Sequence, residues 1–226
     1  IQYTCADLGD NTVTVTATDA ENKVSTLDVN VTVIDNIDPV AVANNFTVQL
    51  DDNGAATITP DDIDGGSTDN CGIDTKSLDI SSFDCDDIGA NTVVFTVTDS
   101  SGNSDSVNAT VNVVDNEPPD VVTQNVTLAL DSNGQASITA SDIDNGSTDN
   151  CSVSDLALNM NNFDCSNLGD NTVTLTVTDD NGVTATETAI VTVEDNEDPV
   201  AVAQDVTIQL DANGQASITA ADLENG

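Results

Sequence analysis

A single stretch of seven residues decides the fold: Thr172-Val173-Thr174-Leu175-Thr176-Val177-Thr178. Its apolar side chains alternate with threonine, and this period of two residues is that of a β-strand with one buried face. Threonine and valine are also β-branched, which favours extended backbone over helix. The stretch therefore predicts a strand, and similar alternation at residues 12–16 and 92–98 predicts an all-β protein.

The composition limits what the protein can bind. Its 226 residues carry 41 acidic and 2 basic side chains, a formal net charge of -39. This charge excludes nucleic acids and anionic membrane surfaces as partners, because both attract lysine and arginine and repel acidic chains. No apolar run reaches the roughly 18 residues of a membrane span, so we expect no membrane insertion in this segment. High charge is also typical of disorder, but a hydrophobic content of 38% arranged in alternation favours a folded chain.

Catalytic chemistry is poorly represented in the sequence. The chain has no histidine, which removes histidine-dependent acid–base catalysis, catalytic triads and zinc sites built on imidazole. Paired carboxylates serve glycosidases, but a glycosidase cleft normally presents aromatic platforms and this chain has no tryptophan. We therefore expect no enzymatic activity.

The sequence repeats itself every 80 residues. The pair Asp35-Asn36 recurs as Asp115-Asn116 and Asp195-Asn196, and a proline follows each pair at the same distance. A fixed period of this kind is the signature of a repeat architecture. The period predicts four segments, of which the outer two are parts of a repeat and the inner two are complete: 1–36, 37–116, 117–196 and 197–226. The chain is therefore expected to be a window on a longer one.

Each complete repeat is expected to form a small immunoglobulin-like β-sandwich. In the second one, residues 122–130 are predicted as the first strand and residues 135–140 as the returning strand of a hairpin. The tetrapeptide Asp131-Ser132-Asn133-Gly134 between them carries the Asn-Gly signature of a hairpin turn. Further short strands, separated by turn residues, follow at the spacing that is typical of such a sandwich.

Five cysteines fall into two series with the same period, namely Cys5, Cys85 and Cys165, and Cys71 and Cys151. We predict disulfides Cys71–Cys85 and Cys151–Cys165, with a bend near Asn161 that brings the second pair together, and an unpaired Cys5 whose partner lies upstream. Each bridge would close a loop of about 15 residues and contribute about 3 kcal/mol. The alternative is buried free thiols, whereas bridges imply an oxidising compartment outside the cytoplasm.

The aspartates also recur in step. Three of them in the first complete repeat, Asp62, Asp69 and Asp99, return 80 residues later as Asp142, Asp149 and Asp179. Strand direction places the Asp-Asn linker, the acidic loop and the turn after the long strand at one pole of the sandwich, facing the preceding repeat. The alternative interpretation is a solvated acidic surface that keeps a long protein soluble, but it does not account for this recurrence.

A repeat junction that is dense in aspartate and asparagine suits Ca²⁺, which takes six to eight oxygen ligands in flexible geometry. Mg²⁺ fits less well, because it demands stricter octahedral geometry. We therefore predict Ca²⁺ as the cofactor, at or near the junctions. Its ligands are expected among these aspartates: Asp35, Asp38, Asp62, Asp64, Asp69, Asp99, Asp115, Asp142, Asp144, Asp149, Asp179, Asp195 and Asp198.

Three motifs of the repeat stand in a fixed order. They are the linker Asp-Asn-Glu-Asp-Pro at 195–199, the loop Ser-Thr-Asp-Asn-Cys at 147–151, and the run Leu-Gly-Asp-Asn-Thr-Val at 168–173, which leads to Thr-Val-Thr-Asp at 176–179. In this order they resemble the hyalin-like (HYR-type) repeats of very large surface proteins of Bacteroidota, although the cysteine placement departs from the usual hyalin pattern. The resemblance covers essentially the whole chain. It implies immunoglobulin-like spacers or adhesive modules in giant proteins, often secreted by the type IX route.

The Asp-Asn linker is also similar in principle to the linkers of cadherins, which stiffen their repeat junctions with calcium. We therefore expect a structural stalk or filament segment of a giant extracellular surface adhesin, whose partners are neighbouring repeats of the same chain. Lateral self-association into a fibre stays open. The alternatives are a module whose loops bind a glycan or protein, and an accessory region of a secreted enzyme. Near-identical repeats favour the stalk, because spacers need only length and stiffness, whereas binding surfaces usually expose aromatic residues or arginine.

Overall fold

The computed structural model describes residues 1–224; Asn225 and Gly226, the last residues of the predicted segment 197–226, lie outside the described residues. The strands of the described part are β1 (Gly9–Thr18), β2 (Val24–Val33), β3 (Phe46–Gln49), β4 (Ala55–Thr57), β5 (Ile73–Leu78), β6 (Ser82–Asp84), β7 (Gly89–Asp99), β8 (Ser104–Val114), β9 (Val126–Ala129), β10 (Gln135–Ser137), β11 (Val153–Leu158), β12 (Asn162–Asp164), β13 (Gly169–Asp179) and β14 (Thr184–Glu194). Single helical turns are α1 (Pro60–Ile63), α2 (Ala140–Ile143) and α3 (Ala220–Leu223), with 3-10 turns at Cys5–Asp7, Cys85–Asp87 and Cys165–Asn167. No helix among residues 1–224 is long and apolar enough to cross a bilayer.

Each complete repeat forms two sheets. In residues 37–116 the larger sheet has the order β3-β8-β7-β5, and β4 pairs with β6 in the smaller one. The copy in residues 117–196 has the orders β11-β13-β14-β9 and β10-β12. The first strand of each repeat runs parallel to the last, as β3 does to β8 and β9 does to β14. The prediction of an all-β protein built from tandem β-sandwich repeats is confirmed.

The alternating stretch supplies the centre of each core. From the fifth residue of β7 and of its copy β13, every second side chain is buried, and the apolar ones among them are fully buried: Val93, Phe95 and Val97 in one, Val173, Leu175 and Val177 in the other. The side chains between them are only half-buried. The smaller sheet closes the core with one aromatic residue in each repeat, Phe83 at 4% and Phe163 at 3% exposure. The period of two therefore gives each strand one face for the core and one for solvent.

By their contacts, the described residues divide into two compact units. The first comprises residues 1–121, 147–155 and 177–185, and the second comprises residues 122–146, 156–176 and the chain from Thr186 onward. These units do not follow the 80-residue period, so the predicted boundaries at 36/37, 116/117 and 196/197 stay predictions about sequence repetition. Both disulfides of the protein lie within the first unit.

The predicted hairpin around Asn133-Gly134 is wrong. The chain does turn there, but β9 pairs with β14 and β10 pairs with β12, so the two strands belong to different sheets. The Asp131 carboxylate closes the turn locally, because its Oδ1 accepts the N–H groups of Asn133 and Gln135, both at 2.9 Å. Only Gly134 has a positive φ, of 70°, whereas the hairpin turn typical of Asn-Gly needs positive φ at both residues.

The predicted pairing of the cysteines is also wrong. The disulfides are Cys5–Cys71 and Cys85–Cys151, each across a sequence separation of 66, and Cys165 is free and exposed. The reason is the route of the chain between the two cysteines of a repeat. After Cys71, β5 joins the larger sheet and β6 then joins the smaller one. Because β5 runs antiparallel to β7 with Ile73 opposite Asp99, Cys71 lies near the last residue of β7, whereas Cys85 shortly precedes its first residue, Gly89. Each bridge therefore connects neighbouring repeats.

Candidate metal centres

Six of the predicted aspartates form two groups of three. In the first triad, Asp35, Asp69 and Asp99 offer carboxylate oxygens within 4.8 Å of one another, and the second triad repeats this arrangement with Asp115, Asp149 and Asp179. Each triad combines the linker that follows one repeat with a loop and a strand end of the next repeat. Four of the six side chains are buried, at exposures of 1–8%: Asp35, Asp99, Asp115 and Asp179.

Short polar turns fix the orientation of the carboxylates. Asp99 ends β7, and its Oδ1 accepts the backbone N–H groups of Ser101 and Asn103 at 2.9 and 2.8 Å. Asp69 Oδ2 accepts the N–H groups of Cys71 and Gly72 at 2.7 and 2.9 Å. Aspartate closes turns in this way because its short side chain reaches the backbone two residues further on.

Two asparagines attach the linker to the first triad. The Nδ2 of Asn70 donates to Asp35 Oδ2 at 3.1 Å. The Nδ2 of Asn103 donates to Asp99 Oδ2 at 2.7 Å and to the backbone carbonyl of Asp35 at 3.1 Å. Amide donors between the carboxylates hold them close together in spite of their mutual repulsion.

The second triad has the same support. The Nδ2 of Asn150 donates to Asp115 Oδ1 at 3.2 Å, and the Nδ2 of Asn181 donates to Asp115 Oδ2 at 3.3 Å. Sequence reasoning missed these asparagines as named site residues. The signal was present, because the pair Asp69-Asn70 recurs as Asp149-Asn150.

Several oxygens of the two sites are buried without a hydrogen-bond partner: Asp69 Oδ1, Asp149 Oδ1, Asn150 Oδ1 and Asp179 Oδ2. An unsatisfied buried acceptor costs free energy, and neighbouring carboxylates add their repulsion. A bound cation removes both costs. Because the available donors are carboxylate and amide oxygens, the triads fit a hard divalent cation.

Local hydrogen bonds keep a triad carboxylate ionised. Burial raises the pKa of Asp99, but hydrogen bonds from the side chain and backbone of Asn103 and from the backbone of Ser101 outweigh burial and lower the pKa below its ordinary value. A carboxylate ligand has to be deprotonated to bind a metal ion. Asp99 is therefore charged, and ready to act as a ligand, at neutral pH.

Two of the other predicted ligands cap helical turns. Asp62 Oδ2 accepts both the N–H and the hydroxyl of Thr59 at 2.7 Å, next to α1. Asp142 Oδ2 accepts the same groups of Thr139 at 2.8 and 2.7 Å, next to α2. Their recurrence in step therefore has a local structural cause.

Asp64 has a cationic partner in the chain. Its Oδ2 lies 2.8 Å from the Nζ of Lys76, which also lies 2.7 Å from Asp61 Oδ1. Lys76, and then the backbone of Ser67, lower the pKa of Asp64 well below its usual range. Asp61, and then Asp64, raise the pKa of Lys76 to about 12.

The remaining predicted ligands also lie outside the triads. Asp144 Oδ2 accepts a backbone N–H at 3.3 Å, and Asp195 Oδ1 accepts one at 3.1 Å. Asp38 and Asp198 are exposed. Within residues 1–224, none of the seven joins a group of three acidic side chains.

The comparisons with known proteins give a distant structural likeness. No protein-family model matches the chain, and no curated protein matches it. Among solved structures, it is similar to protocadherin gammaB7 EC3-6 in a cis-dimer structure, with 17% identity and a TM-score of 0.35 over 92% of this chain and 63% of that chain. It is also similar to protocadherin gamma C5 EC1-3, with 10% identity and a TM-score of 0.35 over 83% of this chain and 78% of that chain. A third similar structure is mouse cadherin-23 EC22-24, with 14% identity and a TM-score of 0.35 over 82% of this chain and 74% of that chain. The chain thus spans less than two thirds of the first of these, and a likeness of this size assigns it no function.

Proposed function

We propose that the protein is a calcium-stiffened stalk segment of a giant extracellular repeat protein, a surface adhesin with no enzymatic role in this segment. The observation that carries this proposal is that a disulfide and an acidic triad occur together twice. Cys5–Cys71 accompanies the first triad, and Cys85–Cys151 accompanies the second. Two cross-links of different chemistry restrict the motion of one repeat against the next, which is what a spacer requires.

Calcium is the proposed ion because of the chemistry of the donors. Three carboxylates and neighbouring amide oxygens supply only hard ligands, and Ca²⁺ accepts such ligands in flexible geometry. Histidine is absent from the chain, and the cysteines beside the triads are bonded to each other. These facts disfavour zinc and copper, which prefer nitrogen and sulfur.

The extracellular location is supported by the disulfides, which persist in oxidising compartments. The resemblance to hyalin-like repeats adds the surface of a bacterial cell and type IX secretion to the proposal. The net charge of -39 fits a long protein that must stay soluble outside the cell.

Thermal melting tests the calcium sites. A ligand that binds only the folded state raises Tm, so we expect a higher Tm in millimolar calcium than in chelator. Asp99→Asn and Asp179→Asn combined should abolish this difference, because asparagine can still close the turns but brings no charge. Asp155→Asn, at an exposed position, is the matched control and should keep the difference. An unchanged Tm of the native protein between calcium and chelator would overturn the metal sites.

Small-angle scattering tests the stalk. In calcium, the maximum dimension should approach the summed length of the repeats, because stiff junctions prevent neighbouring repeats from folding back. The combined Asp99→Asn and Asp179→Asn variant should give a broader distribution of interatomic distances. A compact particle in calcium would contradict a stalk and favour the binding-module alternative.

A further inference from the structure

One tripeptide at each junction makes three different attachments. In Asp69-Asn70-Cys71, the aspartate belongs to the first triad, the asparagine binds the linker at Asp35 Oδ2, and the cysteine is bonded to Cys5. The residues are consecutive, so none of them can move far without the other two. Asp69 Oδ2 accepts the N–H of Cys71 itself at 2.7 Å, which joins the ligand to the bridge directly.

The copy at the second junction has the same three attachments. Asp149 belongs to the second triad, Asn150 donates to Asp115 Oδ1, and Cys151 is bonded to Cys85. Asp149 Oδ2 accepts the N–H of Cys151 at 2.9 Å. Asn150 Nδ2 also donates to the backbone carbonyl of Asp51 at 3.1 Å, a residue of the preceding repeat.

The disulfide therefore holds a ligand in place against the repulsion of the other carboxylates. Without the bridge, the loop is free to move away, and a cation must restore its order when it binds. Ordering a group on binding weakens affinity, whereas a pre-organised site avoids that cost. The unpaired and buried Oδ2 of Asp179, whose side chain is 1% exposed, is a further acceptor that benefits when the cation is present.

We propose that the disulfide and the cation site of each junction are thermodynamically coupled, so that reduction of the bridge weakens cation binding and a bound cation protects the bridge from reduction. This inference rests on the proposed function, since it requires the triads to bind a cation. The two effects must be equal in size because coupling between two sites is reciprocal. Coupling of the usual size changes affinity about 5- to 150-fold.

The chemical step is thiol–disulfide exchange with an external dithiol. The Cys85–Cys151 S–S bond breaks, and each cysteine becomes a thiol. The dithiol loses two electrons and two protons to the bridge and closes into its own disulfide.

Calorimetric titration with calcium tests the first half of the coupling. In an Asp99→Asn background only the second triad keeps its three carboxylates. There we expect Cys85→Ser with Cys151→Ser to weaken calcium binding about 5-fold or more. Cys5→Ser with Cys71→Ser in the same background breaks the other bridge and should leave the affinity unchanged. Equal affinity in all three proteins would overturn the coupling and leave the proposed function intact. Absence of calcium binding to the native protein would overturn the proposed function, and the coupling with it.

Reduction by dithiothreitol tests the second half without removing a bridge by mutation. A Cys165→Ser background prevents exchange with the free thiol, and mass spectrometry after alkylation follows each bridge separately. Calcium should raise the dithiothreitol concentration needed to reduce both bridges. Asp179→Asn should abolish this protection at Cys85–Cys151 and keep it at Cys5–Cys71. Equal protection of the two bridges in the Asp179→Asn variant would overturn the inference. So would a failure of calcium to protect either bridge in the Cys165→Ser protein, whose triads are unchanged.

Discussion

Cys165 has the surroundings of Cys85 but lacks its bond. The Sγ of Cys85 lies 2.7 Å from the place where a Cβ on Gly54 would be, and the Sγ of Cys165 has the same 2.7 Å relation to Gly134. Cys85 is bonded to Cys151, whereas Cys165 is free and exposed. The local geometry of Cys85 is thus repeated at Cys165, and among residues 1–224 Cys165 is the one cysteine outside a disulfide.

We therefore expect a maleimide to modify one thiol in the non-reduced 226-residue chain. Peptide mapping should place the label at Cys165, because thiols held in disulfides do not react. Cys165→Ser should take up no label, and full reduction should expose all five cysteines. Label at Cys71, Cys85 or Cys151 before reduction would contradict the bridges described above.

Asp142 gives a pH-dependent contribution to stability. Hydrogen bonds from the hydroxyl and then the backbone N–H of Thr139 lower its pKa below the ordinary value of 3.8. A group whose pKa is lower in the folded state stabilises it above the unfolded pKa and loses that contribution as pH falls through the folded pKa.

Asp142→Ala is therefore expected to lower Tm at pH 7, and its difference from the native protein should narrow steadily below about pH 4. The control is Asp155→Ala, which removes the same charge from an exposed position but removes no cap. Its change in Tm measures the effect of lower repulsion among the carboxylates, which is subtracted from that of Asp142→Ala. A Tm difference between native protein and Asp142→Ala that stays constant down to pH 2.5 would show that the cap carries no charge-dependent stability.

At the scale of elements, the turn before β4 and its copy before β10 differ in what they contact. Gly54 and Gly134 both have φ of 70°, where a side chain is strained. A Cβ on Gly54 would lie 2.8 Å from the backbone oxygen of Asn150, whereas among residues 1–224 a Cβ on Gly134 would meet only the Sγ of Cys165 within 4 Å. Glycine at 54 thus permits the close approach of the following repeat as well as the turn itself.

Both Gly54→Ala and Gly134→Ala should lose about 1–2 kcal/mol of stability through the positive φ. Only Gly54→Ala should also weaken calcium binding at the second triad, because the added Cβ pushes against the loop that carries Asp149. Urea unfolding measures the first effect and calorimetric titration the second. Equal calcium affinities for the two variants would contradict the close packing at this junction.

Sequence reasoning succeeded where the signal is local. The alternation in residues 172–178 is enough to predict β13 and its buried face. Recurrence in step placed the six triad aspartates among the predicted ligands but did not separate them from the others, and their binding of a metal stays a prediction. It failed for the disulfides, because two spacings between cysteines fit the repeat period equally well. Spacings of 14 and 66 residues both recur in an 80-residue period, so only the route of β5 and β6 shows that Cys85 pairs with Cys151 and not with Cys71. Asp62 and Asp142 recur for a different reason, since they cap helical turns.

At the scale of the whole molecule, charge and covalent structure oppose each other. The formal charge of -39 favours expansion of the chain. At physiological salt, repulsion beyond about 8 Å is largely screened, so the close carboxylates of the triads repel more effectively than distant ones. The two bridges lie beside those triads and restrain the chain where repulsion is strongest.

The bridges also determine how the chain responds to a pulling force. Tension applied to the two ends passes through the bond from Cys5 to Cys71, along the backbone to Cys85, and through the bond to Cys151. In single-molecule stretching we expect the breaking of one bridge to release about 230 Å of additional chain, from 66 residues at about 3.5 Å each. Cys85→Ser with Cys151→Ser should show this gain without any reductant. An identical extension before and after reduction would contradict this path of tension.

Between Cys71 and Cys85, only about 50 Å of backbone is exposed to tension, compared with about 280 Å for a whole 80-residue repeat without bridges. The residues inside each closed loop are shielded, even though they include most of the sandwich. A tether built this way can lose the fold of a repeat under a sudden pull and still gain little length. Its length stays nearly constant under load while the bridges are intact, and a reducing environment would make it extensible.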